Sequence, residues 1–175
     1  VESKEYTKGI HISPGWPANR LVWGSVSVAN RNIAWVELER YEVQVGEYGP
    51  STNYHCNYVV SARVDGLEDK LKARLRPITK GFLRREIVDF RWEGRELAQI
   101  LNSDTNLKNT LYRMKKTLQS LEIKPHSELR CIKIRQWPDY DKASAAFPTI
   151  EAFEAFDRIA QYIRSIANIH PREET

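Results

Sequence analysis

Tyr54, Cys56, Tyr58, Val60, Ala62 and Val64 alternate with His55, Asn57, Ser61, Arg63 and Asp65. A period of two sends alternate side chains to opposite faces of a sheet, so this stretch predicts a strand with the first set facing a core. Upstream, Ser13-Pro14-Gly15-Trp16-Pro17 excludes helix because two prolines each remove a backbone donor. A first strand is expected over Leu21 to Val28, with Val22, Val26 and Val28 on one side. Asn30-Arg31-Asn32 supplies turn residues for a hairpin into a second strand, Ile33 to Val45. Ile33 and Trp35 fall on one side of that run, Val36 and Leu38 on the other, and Tyr41, Val43 and Val45 on the first again. Such a change of phase predicts a bulge near Glu37 to Arg40.

Residues 67 to 76 read two ways. Leu67, Leu71 and Leu75 recur every fourth residue among good helix formers, which favours helix. Asp65-Gly66 is also a hairpin turn signal, and a strand would align Glu68, Lys70, Lys72, Arg74 and Arg76 on one outer face. Pro77 is expected to end either element. Phe82 to Trp92 reads as a strand with Val88, Phe90 and Trp92 together.

Past Gly94 the period lengthens. Leu97, Ile100 and Leu101 mark a short helix, and Leu107, Leu111, Met114 and Leu118 a longer one with Ser103 or Asp104 as its cap. Leu121 with Ile123, and Ile132 with Ile134, mark two strands joined by a turn at Lys124-Pro125-His126-Ser127-Glu128. The closing helix, residues 150 to 167, carries one apolar stripe of Ile150, Phe153, Phe156, Ile159, Ala160, Ile163, Ile166 and Ala167. Strands first and helices later predict an α+β fold, a mostly antiparallel sheet with helices packed on one side. The expectation is a single domain over 1–175, with a seam near residue 94 between a β-rich part, 1–92, and a helix-helix-strand-strand-helix part, 95–170.

Composition agrees: 175 residues, 41% apolar and 29% charged, suffice for one substantial core and lie far from the signature of disorder. No apolar run reaches membrane-spanning length, and Val1 to Lys8 lacks the apolar centre of a signal peptide. Two cysteines, Cys56 and Cys131, are too few for a stapled secreted framework. Reduced thiols and a cytoplasmic setting are expected.

Candidate chemistry is sparse. The soft metal donors His11, His55, Cys56, His126, Cys131 and His170 are scattered over separate elements, and His55 and Cys56 should point to opposite sides of one strand. Ser25, inside Gly24-Ser25-Val26, lacks the glycine pattern of a nucleophile turn. Eight dispersed glycines form neither a phosphate loop nor a dinucleotide fingerprint. Asp139 with Asp141, and Asp65 with Glu68 and Asp69, are the local carboxylate groups, and turn formation accounts for both. No cofactor or metal is implied. Trp16 and Trp137, beside prolines, are candidates for exposed aromatic surface.

Charge placement is the feature above background. Lys70, Lys72, Arg74, Arg76, Lys80, Arg84, Arg85 and Arg91 face only Glu86 and Asp89 in the same stretch, whereas the whole chain carries +4. These eight are the candidate anion-binding residues, and the function expected is a non-enzymatic interaction or scaffold domain with a basic strip. An acidic protein, a nucleic acid or an anionic membrane surface are the partners that charge would suit. Phe82, Phe90 and Trp92 are read as stacking faces for unpaired bases under the single-stranded nucleic-acid alternative, and Phe90 and Trp92, sharing a face with Val88, as core otherwise.

Overall fold

The computed structural model describes residues 20–44, 50–81, 86–115, 118, 120–137 and 149–169. Their elements are β1 (Arg20–Ser27), β2 (Trp35–Gln44), β3 (Pro50–Ser61), α1 (Glu68–Leu71), β4 (Ala73–Lys80), β5 (Glu86–Gly94), α2 (Glu96–Ser103), α3 (Thr105–Arg113), β6 (Ser120–His126), β7 (Cys131–Trp137) and α4 (Ile150–Ile169). All strand pairs are antiparallel, in one seven-stranded open sheet of order β1-β2-β3-β7-β6-β4-β5. Four helices pack against it, as α+β patterning requires. Strands from both sides of Gly94 share the sheet, because β6 and β7 sit between β3 and β4.

Val36, Tyr58, Ile134, Ile123 and Ala73 stand opposite one another on successive strands, so they line one face. Tyr58, Val60, Ile132, Ile134, Leu121, Ile123, Leu75 and Trp92 join the helices' Leu97, Leu101, Leu107, Leu111, Phe156, Ile159 and Ile163 in the buried core. Phe156 meets Tyr58 with ring centroids 4.4 Å apart. Asp104 caps α3 by accepting from Leu107 N at 3.0 Å, and the same carboxylate accepts from Arg158 and from Tyr162 Oη (2.9 Å), tying α3 to α4. Burial opposes its ionisation, but the hydrogen bonds from Arg158, Leu107 and Tyr162 outweigh it and hold the carboxyl below its usual range. Asp157 reaches back to the β1–β2 loop, accepting from Asn32 N (2.7 Å) and Ile33 N (3.0 Å).

Several boundaries differ from the sequence expectation. The bulge lies in β1: Val22 pairs with Glu39 and Gly24 with Leu38, leaving Trp23 extra, whereas β2 stays in continuous register with β3 from Trp35 to Gln44. Val22 and Val26 therefore stand in register with opposite faces of β2, and the apolar parity change at Tyr41 and Val43 marks no backbone shift. Residues 67–76 divide between the two readings, one helical turn and then β4, because Lys72 already has extended backbone. Pro77 ends nothing; it stands opposite Phe90 inside β4, beyond the two residues that pair with β6, where a missing donor is tolerated. The β6–β7 connection is Ser127–Leu129 with Arg130 at φ 48, and Lys124 to His126 remain in the strand. Helix α3 ends at Arg113, so Met114 is its cap and Leu118 is buried beyond it. In α4, Phe156, Ile159, Ala160 and Ile163 are fully buried, Phe153 is half-buried, and Ile150 at the first turn is 81% exposed.

Tyr58 Oη is buried without a hydrogen-bond partner among the described residues, and burial pushes its ionisation far above the usual range. Tyr58→Phe keeps the ring and removes that hydroxyl. Stability should be unchanged or rise by about 1 kcal/mol, read as an upward shift of the denaturant midpoint at constant slope.

Candidate functional site: the polar face of the sheet

Opposite the core, one register row crosses all seven strands: Ser25, Glu37, Asn57, Arg135, Glu122, Arg74 and Glu93. Alternation alone puts these residues on the face away from the helices. The row has two chemically distinct parts.

Around β3 the charges are buried and paired. Lys133 Nζ lies 2.7 Å from Glu37 Oε2, and Arg135 donates to Glu39 Oε2 at 3.0 Å. Both pairs place the cation on β7 and the carboxylate on β2, so each reaches over the intervening β3. Trp35 Nε1 donates to Glu37 Oε1 (3.0 Å), Arg135 Nε to Asn57 Oδ1 (2.9 Å), and Asn57 Nδ2 to Glu39 Oε2 (3.2 Å). Every charged side chain here is 13% exposed or less, which sets this cluster apart from ordinary solvated pairs. Val59 and Cys131 are buried on the same face, outside the helix-side core.

His126 stands opposite Cys131 beside this cluster. Burial, and then the charges of Lys133, Lys124 and Arg135, lower its pKa to about 4, with Glu37 acting in the other direction. The ring is therefore neutral at pH 7. Between about pH 6.5 and 4 the unfolded chain takes up a proton that the folded chain refuses, so stability falls as pH falls through that window. With screening of the half-buried ring, the loss should be about 1–2 kcal/mol. His126→Asn should remove this component from urea denaturation curves at pH 7 and pH 5.

Toward β4 and β5 the face is solvated and carries charges of both signs. Arg74, Arg76, Ile78 and Lys80 alternate along one side of β4, and Arg91 stands directly opposite Arg76. Arg76 donates to Glu93 at 3.0 Å, whereas Arg74, Lys80 and Arg91 hold no ion pair among the described residues. From Arg76 to Lys80 every residue of β4 is exposed, on both faces, and among the described residues β5 is its sole strand neighbour there. The outer edge of β5 is covered at Trp92: Asn102 donates to Trp92 O and accepts from Trp92 N, both at 2.9 Å. Lys108 pairs with Asp89 (2.8 Å) and Lys115 lies 3.8 Å from Glu86. Both acidic residues of the basic stretch are thus answered from α3 and its C-terminal end.

The eight cations singled out by sequence fare differently. Arg74, Arg76, Lys80 and Arg91 share the β4–β5 hairpin; Lys70 sits on α1 near Glu96 (3.4 Å), and exposed Lys72 caps that turn. Arg84, Arg85 and Phe82 lie outside the described residues. Phe90 and Trp92 are 3% and 4% exposed and belong to the core, so they present no stacking face.

The other candidates converge on no site among the described residues. His11, His170, Trp16, Asp139 and Asp141 lie outside the described residues, and Trp137 ends β7. Among the described residues no three metal-binding side chains converge. Cys56 and Cys131 are free thiols; Cys131 stands opposite Ser61, about five residues along β3 from Cys56 and on the other face, roughly 17 Å away along the strand. Ser25 lies in β1 opposite Glu37. Glu68 accepts from Ser127 Oγ at 2.6 Å and Asp69 pairs with Arg95 at 3.3 Å, so the Asp65 turn presents no convergent acid–base pair. No described helix is long and apolar enough to cross a membrane.

Sequence reasoning missed the buried ion pairs. Glu37 and Lys133 are separated by 96 positions, and the sole local signal was charge inside strands otherwise rich in β formers. Comparison with protein-family models, with curated proteins and with solved structures gives no match for the chain.

Proposed function

We propose that this chain is a non-enzymatic interaction domain that binds a nucleic acid through the β4–β5 hairpin. The carrying observation is the row Arg74, Arg76 and Lys80 on β4, which from Arg76 to Lys80 is exposed on both faces, with Arg91 opposite Arg76. Glu93 answers Arg76 within the hairpin, which leaves Arg74, Lys80 and Arg91 as the cations there without an ion pair among the described residues and open to an external anion. Successive same-side positions on a strand are about 6.8 Å apart. That spacing gives a line of charge, one or two residues wide, which suits a linear polyanion better than a membrane plane. Pro77 and Lys80 are residues that native sheets place on edges to block strand addition, which disfavours an extended peptide as the occupant of β4.

Binding should fall steeply with salt. The variant Arg76→Gln/Lys80→Gln/Arg91→Gln should flatten the plot of log K against log salt by about 2–3, near the loss of one counterion per phosphate contact. Its thermal stability should stay within about 1 kcal/mol of the parent, since these are solvated surface changes. Fluorescence anisotropy with labelled oligonucleotides measures the first, and calorimetry the second. Binding to anionic vesicles or polyglutamate with none to nucleic acid would reject the reading.

A further inference from the structure

We infer that the bound nucleic-acid backbone runs lengthwise along β4 and passes onto β6 of the polar face, where Lys72 and Lys124 hold its phosphates beside His126. This deepens the reading above that the β4–β5 cations bind nucleic acid, and rests on it. Register carries the first argument. Lys72 has extended backbone and the same parity as Arg74, Arg76 and Lys80, and alternation puts all four on the face away from the helices. β4 pairs with β6 at Ala73↔Ile123 and Arg74↔Glu122, so one step further along that register brings Lys72 level with Lys124. The cations of β4 thus continue into β6 without leaving the face. Availability is the second argument. Lys72 and Lys124 are exposed and hold no ion pair among the described residues. Lys133, directly opposite Lys124 on β7, is 11% exposed and committed to Glu37 at 2.7 Å. The buried pairs over β3 therefore bound the open cations on that side. Glu122 is the carboxylate within their course, and Arg74 and Arg135 on the two flanking strands offset its charge.

Dimensions are the third argument. Lys72 to Lys80 spans about 27 Å of extended chain, the length of about eight phosphates at 3.4 Å each along a stacked strand. Across the sheet, the open cations reach one strand to either side of β4, to Arg91 on β5 and Lys124 on β6, a width of roughly 10 Å. A strip so long and narrow engages one backbone. His126 marks its far end: it follows Lys124 by two positions on the same face and stands opposite Cys131. Besides burial, the groups that hold down protonation of its ring are Lys133, Lys124 and Arg135, against Glu37. Phosphates seated on Lys124 would offset these cations and ease protonation of the ring.

The test uses the full chain and oligo(dT) of about twelve nucleotides, longer than the course on the protein; thymine does not titrate in the acid range. Lys72→Gln/Lys124→Gln should weaken binding about three- to tenfold and flatten the plot of log K against log salt by about 1.4, for two contacts to a single strand. Both positions are exposed, so the thermal midpoint should stay within a few degrees of the parent. In the parent chain, the His126 titration followed by NMR, assigned by its loss in His126→Asn, should move upward by about half a unit or more when oligo(dT) binds. A lysine variant that binds like the parent, or a His126 titration indifferent to oligo(dT), overturns the course onto β6. The hairpin reading then stands if Arg76→Gln/Lys80→Gln/Arg91→Gln still loses affinity. Absence of salt-sensitive binding to the parent chain overturns both.

Discussion

Replacing Phe156 with Ala is expected to lower the unfolding free energy by about 3–5 kcal/mol. Phe156 is fully buried on α4 and meets Tyr58 of β3 at 4.4 Å between ring centroids, with half-buried Phe153 beyond at 6.5 Å from Tyr58. Truncation removes the transfer free energy of the ring and leaves a cavity between helix and sheet that neither rigid wall can close. The ring interaction with Tyr58 adds about 0.5–1.5 kcal/mol to the loss. Urea denaturation read by far-ultraviolet circular dichroism measures the effect. A loss under about 1 kcal/mol would show that α4 does not hold the sheet. Ile150→Ala, at the other end of the same stripe, should cost under about 0.5 kcal/mol because its side chain is 81% exposed.

Lys133→Met is expected to be of similar size for an electrostatic reason. The substitution removes the cation 2.7 Å from Glu37 and leaves a carboxylate, 12% exposed, with Trp35 Nε1 as its remaining hydrogen-bond donor among the described residues. An uncompensated buried charge costs about 3–5 kcal/mol, whereas replacing both partners by apolar groups of similar volume is often neutral. Lys133→Met/Glu37→Leu should therefore recover most of the stability lost in the single variant. His126 provides an independent readout: Lys133 is a cause of its lowered pKa, so its titration followed by NMR should move upward in Lys133→Met. An unmoved His126 titration would show that the cluster is not electrostatically connected.

These two substitutions probe the opposite faces of one sheet, and the faces were unequally legible. The helix-side face follows from periodicity. Alternation in 54–64 and the stripe in 150–167 are local properties, and each places its residues on a common side before any tertiary contact exists. The cap of α3 was local to within Ser103 or Asp104, since a cap bonds a backbone amide three residues on; the structure uses Asp104. On the polar face, a charged residue in a strand reads as solvated whether it ends paired or free. Nothing near Glu37 in the chain distinguishes it from Glu93, yet one closes over β3 to Lys133 and the other stays on the surface with Arg76.

By itself the sequence determined the α+β class, the phase of β3 and α4, Ser103 or Asp104 as the cap of α3 and the concentration of cations in 70–91. Each depends on residues within one or two turns of the chain. Tertiary structure decided the strand order, the placement of β7 beside β3, the bulge at Trp23 and the division of 67–76 into a helical turn and a strand. It also decided which cations share a surface: Arg91 comes opposite Arg76 through the β4–β5 register, while Lys70 turns toward Glu96. The physical reason is that register is set by the sum of side-chain packing on the helix side. A shift of one residue would turn the core residues outward and the charges inward, so the positions of the charges follow from burial elsewhere rather than from their own neighbours in the chain.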